Sequence, residues 1–243
     1  MEKRIDYESP IPFYHQLKEI LKANITIGEW LPGDKIPSEN ELKNVYQISR
    51  NTVKKALDDM VKEGLLKRIQ GKGTFVAKPK LEQSLTGFYS FSKVIKQQGM
   101  EPKDVVISIE EVKADTNIAK QLKINLNEPV TALRRLRCAD EEPIILETSY
   151  IPKKIVSEIS NDMLKKYSLY DFMEKEAGVV VVSAKEIFEP VLVRDFESQY
   201  LGVKEGYPAL MLDRIAYNTA KQPVEFCRSI VRGDRCRFYT ELL

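Results

Sequence analysis

Apolar positions between Ile36 and Val76 recur with the spacing of two short helices followed by an extended hairpin. In the second helix they stand three and four positions apart, which places them on one face that can be buried. These positions are Val53, Ala56, Leu57, Met60 and Val61. The opposite surface carries mostly basic side chains, namely Arg50, Asn51, Lys54, Lys55 and Lys62. The pattern predicts an amphipathic helix with a basic outer face.

Capping residues mark where these helices begin. Ser38 and Glu41 have the spacing of a capping box, and Ser49 can cap the second helix after a break at residues 47–49. Two β-type runs follow, joined by Gln70-Gly71-Lys72-Gly73, whose glycines permit a tight turn and whose rim is basic at Arg68 and Lys72. This order predicts a winged helix-turn-helix, with one helix in the major groove and the hairpin on the flanking DNA. The alternative is a solvated surface helix beside an ordinary hairpin.

The same stretch resembles the DNA-binding domain of the GntR family of bacterial transcription regulators. The resemblance rests on SRNTVKKAL and GKGTFV, and it covers about the first third of the chain. It implies that Arg50, Thr52 and Lys54 contact operator bases or phosphates. Lysine stands at Lys54 where the family often has arginine, and lysine lacks the planar fork that reads guanine. The expected DNA-binding residues are Ser38, Glu39, Ser49, Arg50, Asn51, Thr52, Lys54, Lys55, Arg68, Gln70, Gly71 and Lys72.

Downstream, helical and extended patterns alternate without an internal repeat. The predicted helices cover 88–98, 117–123, 163–176 and 196–201; the predicted strands cover 105–112, 130–139, 144–150, 179–193, 209–218 and 224–231. Hairpins on an antiparallel sheet with a few covering helices make an α+β domain. The polar segment 79–86 is expected to be a linker, so the predicted domains are 1–78 and 87–243.

Charged side chains in the predicted hairpins fall on shared faces. Alternation along a strand places Arg135 and Arg137 on one face. Glu147 lies on the neighbouring strand, and Glu225 lies in the second hairpin. Two arginines on one face suit a phosphate or a carboxylate. They can equally form cross-strand ion pairs with Glu147 and Glu225, and residue chemistry alone leaves both interpretations open.

The order LRRLR, EPIILETSYIP, SLYDFMEKE and PVEFCRSIVRGDR resembles the effector-sensing UTRA domain of the HutC subfamily of GntR regulators. The resemblance covers about Leu85 to Leu243 and implies the chorismate lyase fold. It implies a phosphate cradle at Ser90, Phe91, Ser92, Arg135, Arg137, Ser168 and Tyr170, with Glu147 and Glu225 on sugar hydroxyls. The helix start at residues 90–92 would add free backbone amides. Val231 stands where the family often has tyrosine, which favours a different or bulkier organic part.

Net charge is only +2, yet between Arg50 and Lys80 nine basic residues face three acidic ones, enough to attract phosphates. The three cysteines show no metal-binding or disulfide spacing, and no apolar run reaches the roughly 18 residues of a membrane span. We therefore expect a cytoplasmic protein that uses no cofactor, no metal and no membrane.

Together these features predict a homodimeric transcription regulator, most simply a repressor that a small anionic metabolite such as a sugar phosphate releases from a palindromic operator. A lyase-type enzyme carrying a DNA-binding domain is the alternative. It would need a positioned acid or base, and the second domain offers Glu147 and Glu225 but no histidine. A purely architectural DNA binder is a third hypothesis, and it predicts no response to a ligand.

Overall fold

The computed structural model describes residues 4–69, 71–78, 80–86 and 91–242. The chain divides into two compact units, Met1–Pro79 and Lys80–Leu243. We refer to them as the N-terminal unit and the C-terminal unit. Among the residues predicted to bind DNA or an effector, Gln70 and Ser90 lie outside the described residues. None of the helices within these ranges combines the length and apolarity needed to cross a membrane.

The N-terminal unit is a winged helix-turn-helix. It contains α1 (Phe13–Thr26), α2 (Glu39–Tyr46), α3 (Arg50–Lys62), β1 (Leu66–Ile69) and β2 (Gly73–Val76). The antiparallel hairpin β1–β2 is the wing, and Lys35 bridges to Phe75 to add a third extended segment. Val53, Ala56, Leu57 and Met60 of α3 are fully buried, while Val61 is only partly buried.

Side-chain caps fix the beginnings of both helices of the helix-turn-helix. Ser38 Oγ accepts from the Glu41 backbone N–H at 3.3 Å, and Glu41 Oε2 accepts from the Ser38 N–H at 2.7 Å, so the capping box is closed. Ser49 Oγ accepts from the Thr52 N–H at 3.1 Å and starts α3. Each cap satisfies amides that have no partner inside the helix, so the beginning of each helix is decided locally.

The C-terminal unit is built on a long antiparallel sheet. Its strands are β3 (Leu81–Ser84), β4 (Pro102–Lys113), β5 (Pro129–Ala139), β6 (Glu142–Pro152), β7 (Val181–Leu192), β8 (Pro208–Asn218), β9 (Pro223–Arg232) and β10 (Cys236–Tyr239). Its helices are α4 (Phe91–Gln97), α5 (Thr116–Leu122), α6 (Asn161–Lys166), α7 (Leu169–Ala177) and α8 (Asp195–Leu201). Among the described residues, six strands join in the order β4-β5-β6-β9-β8-β7, every neighbouring pair antiparallel. The α+β prediction is confirmed.

Two segments differ from the expectation. Leu81–Ser84, inside the predicted linker, is a strand that pairs in parallel with β10. Leu81 and Gln83 are buried while Glu82 is exposed, an alternation too short to distinguish from a polar linker in the sequence. The predicted helix 163–176 is two helices, because Ser168 leaves the helical conformation and caps α7 by accepting from the Asp171 N–H at 3.3 Å.

Candidate functional site

The residues predicted to contact DNA lie at the start of α2, on the outer surface of α3 and on the wing. Ser38, Ser49, Arg50, Asn51, Lys54, Lys55, Arg68, Gly71 and Lys72 are exposed, and Glu39 and Thr52 are half-buried. Arg50 stands in the first turn of α3, with its side chain 69% exposed. Gly71 and Gly73 have φ of +75° and +122°, which a side chain would disfavour, so the wing tip requires glycine at these positions.

Acidic side chains hold two of the arginines in place. Glu39 accepts from Arg50 Nε and lies within ion-pair distance of Arg68, at 3.3 Å in each case. Arg68 also pairs with Asp58 of α3. A guanidinium that already faces two carboxylates is a weaker phosphate ligand, so Arg68 mainly ties the wing to α2 and α3. Lys55 is similarly engaged, since its Nζ lies 3.7 Å from the centroid of the Tyr14 ring.

Lys72 at the wing tip offers a direct test of the wing. We expect Lys72→Ala to weaken binding to specific and non-specific DNA alike and to lower the magnitude of the salt slope by about one unit, because one phosphate contact is lost. Binding isotherms at several salt concentrations measure this. Lys120→Ala, an exposed lysine of α5 in the C-terminal unit, removes the same charge as a control. A salt slope equal to that of the Lys120 variant would mean that the wing does not touch DNA.

The C-terminal unit contains a cavity of about 70 Å³ on one face of the sheet. Seven of the residues predicted to bind an effector line it: Phe91, Arg135, Arg137, Glu147, Ser168, Tyr170 and Glu225. The remaining lining is largely apolar and comes from β3, α4, α7, the sheet and β10, through Leu81, Gln83, Val94, Ile145, Leu169, Leu212, Arg214, Cys227, Ser229, Cys236 and Phe238. Three guanidinium groups and two carboxylates therefore face one small space.

Arg135 and Arg137 form a buried ion network with two acidic residues. Arg135 pairs with Glu147, its register partner across β5 and β6, and its Nη1 lies 3.5 Å from Asp104 Oδ2. Arg137 Nε donates to Asp104 Oδ1 at 3.0 Å, and Arg137 Nη1 lies 3.6 Å from Glu147 Oε2. The cross-strand pairing considered from the sequence is thus present for Glu147, with Asp104 of β4 as the second acid.

The charge on Arg135 is secured by this network. Burial would lower its pKa, but the carboxylates of Glu147, Asp104 and Glu225 outweigh burial and raise the pKa above its ordinary value. The residue is only 4% exposed, and its Nε has no hydrogen-bond partner among the described residues. A buried donor without an acceptor costs stability, so a residue that lines the cavity carries one unsatisfied donor.

A second hydrogen-bonded group of cavity residues contains Tyr170 and Glu225. Tyr170 Oη donates to Glu225 Oε2 at 2.6 Å, and burial together with the Glu225 carboxylate raises the pKa of Tyr170 well above its ordinary value. Burial also raises the pKa of the Cys227 thiol to about 12, and Glu147 and Glu225 act in the same direction. Cys227 is therefore a neutral thiol at physiological pH, which makes it an unsuitable nucleophile.

Comparison with known proteins identifies a family match in each of the two units. Residues 97–237 match the UTRA domain, and residues 13–76 match the bacterial regulatory proteins of the gntR family. The chain is 36% identical to the HTH-type transcriptional repressor NagR of Bacillus subtilis (strain 168), over 96% of each chain.

The chain belongs to the GntR family.

Further relatives place this GntR protein among DNA-binding transcription regulators. It is 31% identical to the probable fructoselysine utilization operon transcriptional repressor of Escherichia coli (strain K12), over 91% of each chain. The crystal structure of PhnF from Mycobacterium smegmatis superposes with a TM-score of 0.63 at 26% identity, over 95% of this chain and 98% of that one. The histidine utilization repressor of Pseudomonas putida is also a relative, at 28% identity over 95% of this chain and 92% of that one, in agreement with a HutC-type regulator. These relatives are regulators, which does not favour the enzyme alternative.

Two residues predicted for the effector site of this GntR regulator do not line its cavity. Val231 is fully buried between its strand neighbours Ile145 and Leu210, two positions beyond Ser229 on β9, where apolar packing has replaced the cavity. Ser92 accepts from Arg137 Nη2 at 2.9 Å. Val231 therefore contributes to the core, and Ser92 contacts the cavity residue Arg137 without lining the cavity itself.

The cavity of the GntR regulator also contains residues that were not predicted. Arg214 of β8 lines it and pairs with Glu186 of β7 at 2.6 Å. Arg214 and Glu225 lie on neighbouring strands that the sequence did identify as a hairpin, so alternation along β8 could have signalled Arg214. No such signal marked Asp104 and Gln83 in the sequence. Their positions depend on the pairing of β4 with β5 and of β3 with β10, and these pairings leave no local pattern along the chain.

Proposed function

We propose that this regulator is a repressor and that a small anionic metabolite, such as a phosphorylated sugar, releases it from a palindromic operator. The names of its relatives support repression, since both NagR and the fructoselysine operon protein are called repressors. The latter name also connects a relative with a sugar derivative.

The observation that carries the anionic effector is a cavity lined by both Arg137 and Arg135, the latter with an unpartnered Nε. Oxygens of a phosphate or a carboxylate would give this donor its missing acceptor. Arginine presents its donors in a planar fork that matches such groups, and charge-assisted hydrogen bonds are the stronger kind.

The existing ion network sets a condition on the effector. Asp104 and Glu147 already neutralise the two arginines, so an incoming anion has to exchange with one of them. Asp104 is the better candidate, because its side chain is 25% exposed whereas that of Glu147 is 7% exposed. Breaking an ion pair costs less free energy when the released carboxylate can turn toward water than when it stays buried.

The acidic residues suit the organic part of such a ligand. Glu147 and Glu225 are acceptors, and the Ser229 hydroxyl can both donate and accept, as hydroxyl groups of a sugar require. Leu81, Val94, Ile145 and Leu212 provide apolar contact for carbon atoms. This mixture of a few polar groups on an apolar wall is typical of sites for small polar metabolites.

On the DNA side, we propose that two copies bind one operator. One helix-turn-helix reads only a few base pairs, and dimers place two half-sites about one helical turn apart. Arg50, Asn51, Thr52 and Lys54 would enter the major groove from α3, and Gly71 and Lys72 would reach the flanking DNA. Effector binding would favour a dimer whose spacing no longer fits, which requires different affinities for the two states.

A thermal-shift titration tests the effector class. We expect hexose 6-phosphates to raise the melting temperature of the regulator and the parent hexoses to leave it nearly unchanged. At a hundredfold excess over Kd, the stabilisation would be about 2.7 kcal/mol. Inorganic sulfate serves as a control that supplies the anion without the sugar. Equal shifts with hexoses and their phosphates would contradict an anionic effector.

A further inference from the structure

Gln98, just beyond α4, holds strand β3 by its side-chain amide. Its Oε1 accepts from the Glu82 backbone N–H at 3.1 Å, and its Nε2 donates to the Glu82 carbonyl oxygen at 2.7 Å. One side chain therefore satisfies both backbone groups of one strand residue, as a neighbouring strand would. The neighbouring Gln97 is exposed and makes no such bonds to other described residues.

The opposite end of α4 belongs to the cavity. Phe91 lines it, with the Arg137 guanidinium 4.6 Å from the centroid of its ring, and Ser92 accepts from Arg137 Nη2 at 2.9 Å. One turn further, Val94 also lines the cavity, while Ile95 is fully buried. The Gln98 backbone N–H donates to the Val94 carbonyl oxygen at 3.2 Å, so Gln98 continues the hydrogen-bonded turn of α4 and is connected through it to Phe91 and Ser92.

Strand β3 is the first element after the N-terminal unit, which ends at Pro79. It is fixed at its start, where Lys80 Nζ donates to the Gly233 carbonyl oxygen at 2.9 Å and the Leu81 N–H to that of Arg235 at 2.7 Å. Leu81 and Gln83 line the cavity from the same strand. The segment that continues into the DNA-binding unit is thus in contact both with the cavity and with α4.

We propose that Gln98 is a positioning residue that transmits the state of Arg137 to strand β3, and hence to the segment leading to the DNA-binding unit. An anion that draws Arg137 toward itself changes the contacts of Arg137 with Phe91 and Ser92. Helix α4 responds, and Gln98 moves the Glu82 peptide with it. The inference rests on the proposed effector site, but it concerns the path from that site.

A double-mutant cycle tests this without any ligand. Amide hydrogen exchange of residues 81–85 is measured in the wild type, Arg137→Lys, Gln98→Ala and the double variant. Lysine keeps the charge at 137 but cannot hold Asp104 and Ser92 together. We expect Arg137→Lys to change exchange in this segment about threefold or more, and to lose most of that effect when Gln98 is alanine. An equal effect of Arg137→Lys in both backgrounds would overturn the proposal.

Two further variants separate transmission from simple support. Gln97→Ala is the matched control, since it removes the same side chain one residue earlier, and the effect of Arg137→Lys should persist in it. Gln98→Glu keeps the acceptor for the Glu82 N–H but loses the donor to the Glu82 carbonyl, so transmission should be partly retained. If Gln97→Ala abolishes the effect as well, the result reflects a general need of α4 for its glutamine side chains, and Gln98 has no special role.

A second arm adds inorganic phosphate or glucose 6-phosphate to the intact proteins. Binding should slow exchange in β5 around Arg135 and Arg137 in every Gln97 and Gln98 variant. Its effect on residues 81–85 should be largest with Gln98, smaller in Gln98→Glu and smallest in Gln98→Ala, where only direct contact of the ligand with Leu81 and Gln83 remains. If neither compound affects β5, the proposed effector class is contradicted, and the cycle still decides on Gln98. If residues 81–85 respond in Gln98→Ala as strongly as in the wild type while β5 also responds, the path through Gln98 is wrong and the effector site stands.

Discussion

Arg135→Ala is expected to lose the response to an anionic effector and to lower the melting temperature of the C-terminal unit. Removal of one partner from a buried ion pair leaves the other charge uncompensated, which costs about 3–5 kcal/mol of unfolding free energy. Glu147 would keep only Arg137 at 3.6 Å. Loss of the charge-assisted hydrogen bonds of one guanidinium, about 1.5–3 kcal/mol, should raise the effector concentration needed for release about ten- to a hundredfold.

The loss of stability and the loss of response need separate measurements. Ile118→Ala supplies the control, because Ile118 is buried in α5 and is not among the residues that line the cavity. Its truncation should lower the free energy of unfolding by a comparable amount, about 2–5 kcal/mol. Thermal melts with and without glucose 6-phosphate compare the two variants, and binding of operator DNA should hardly change in either below its melting range. If Arg135→Ala responds to the ligand as well as Ile118→Ala does, Arg135 is only part of the scaffold.

Arg50→Ala should weaken binding to the specific operator by about 1–3 kcal/mol, if its guanidinium reads a base edge. Arg50 lies in the first exposed turn of α3, and Glu39 holds its Nε at 3.3 Å while leaving the side chain 69% exposed. Its fork is therefore oriented before DNA arrives. Isotherms on an operator selected in vitro by the wild type, and on scrambled DNA, measure the difference.

Lys62→Ala is the matched control for this experiment. Lys62 is exposed in the last turn of the same helix, so its removal changes the net charge equally without touching the end that enters the groove. We expect Arg50→Ala to reduce discrimination between operator and scrambled DNA and Lys62→Ala to preserve it. An equal loss on both DNAs for Arg50→Ala would make Arg50 a phosphate contact.

The helix-turn-helix could be predicted because its signals are local. Ser38 and Glu41 lie three residues apart and cap each other, and the buried stripe of α3 lies within three turns. The same reasoning found the face of β5 that carries Arg135 and Arg137, since alternation along one strand needs no partner. Side-chain direction in a regular element follows from its period alone.

The partners of those arginines could not be predicted in the same way. Asp104 meets Arg137 only because β4 pairs with β5 in one particular register, with a shift between Val106 and Ser108. Gln83 reaches the cavity through the parallel pairing of β3 with β10. Pairings between distant segments depend on the whole sheet, so a short polar segment gives no warning that it will become a cavity wall.

The pairing of β3 with β10 also orders events during synthesis of the chain. Glu82 and Arg237, which face each other in this ribbon, are 155 positions apart. A ribosome that adds 5–20 residues per second needs about 8–30 s to cover that distance. The helices and wing of the N-terminal unit are complete once Val76 has been made, whereas the cavity lacks the wall formed by Cys236 and Phe238 until the ribosome has passed them. Each new molecule can therefore acquire a DNA-binding surface some seconds before it can sense a metabolite.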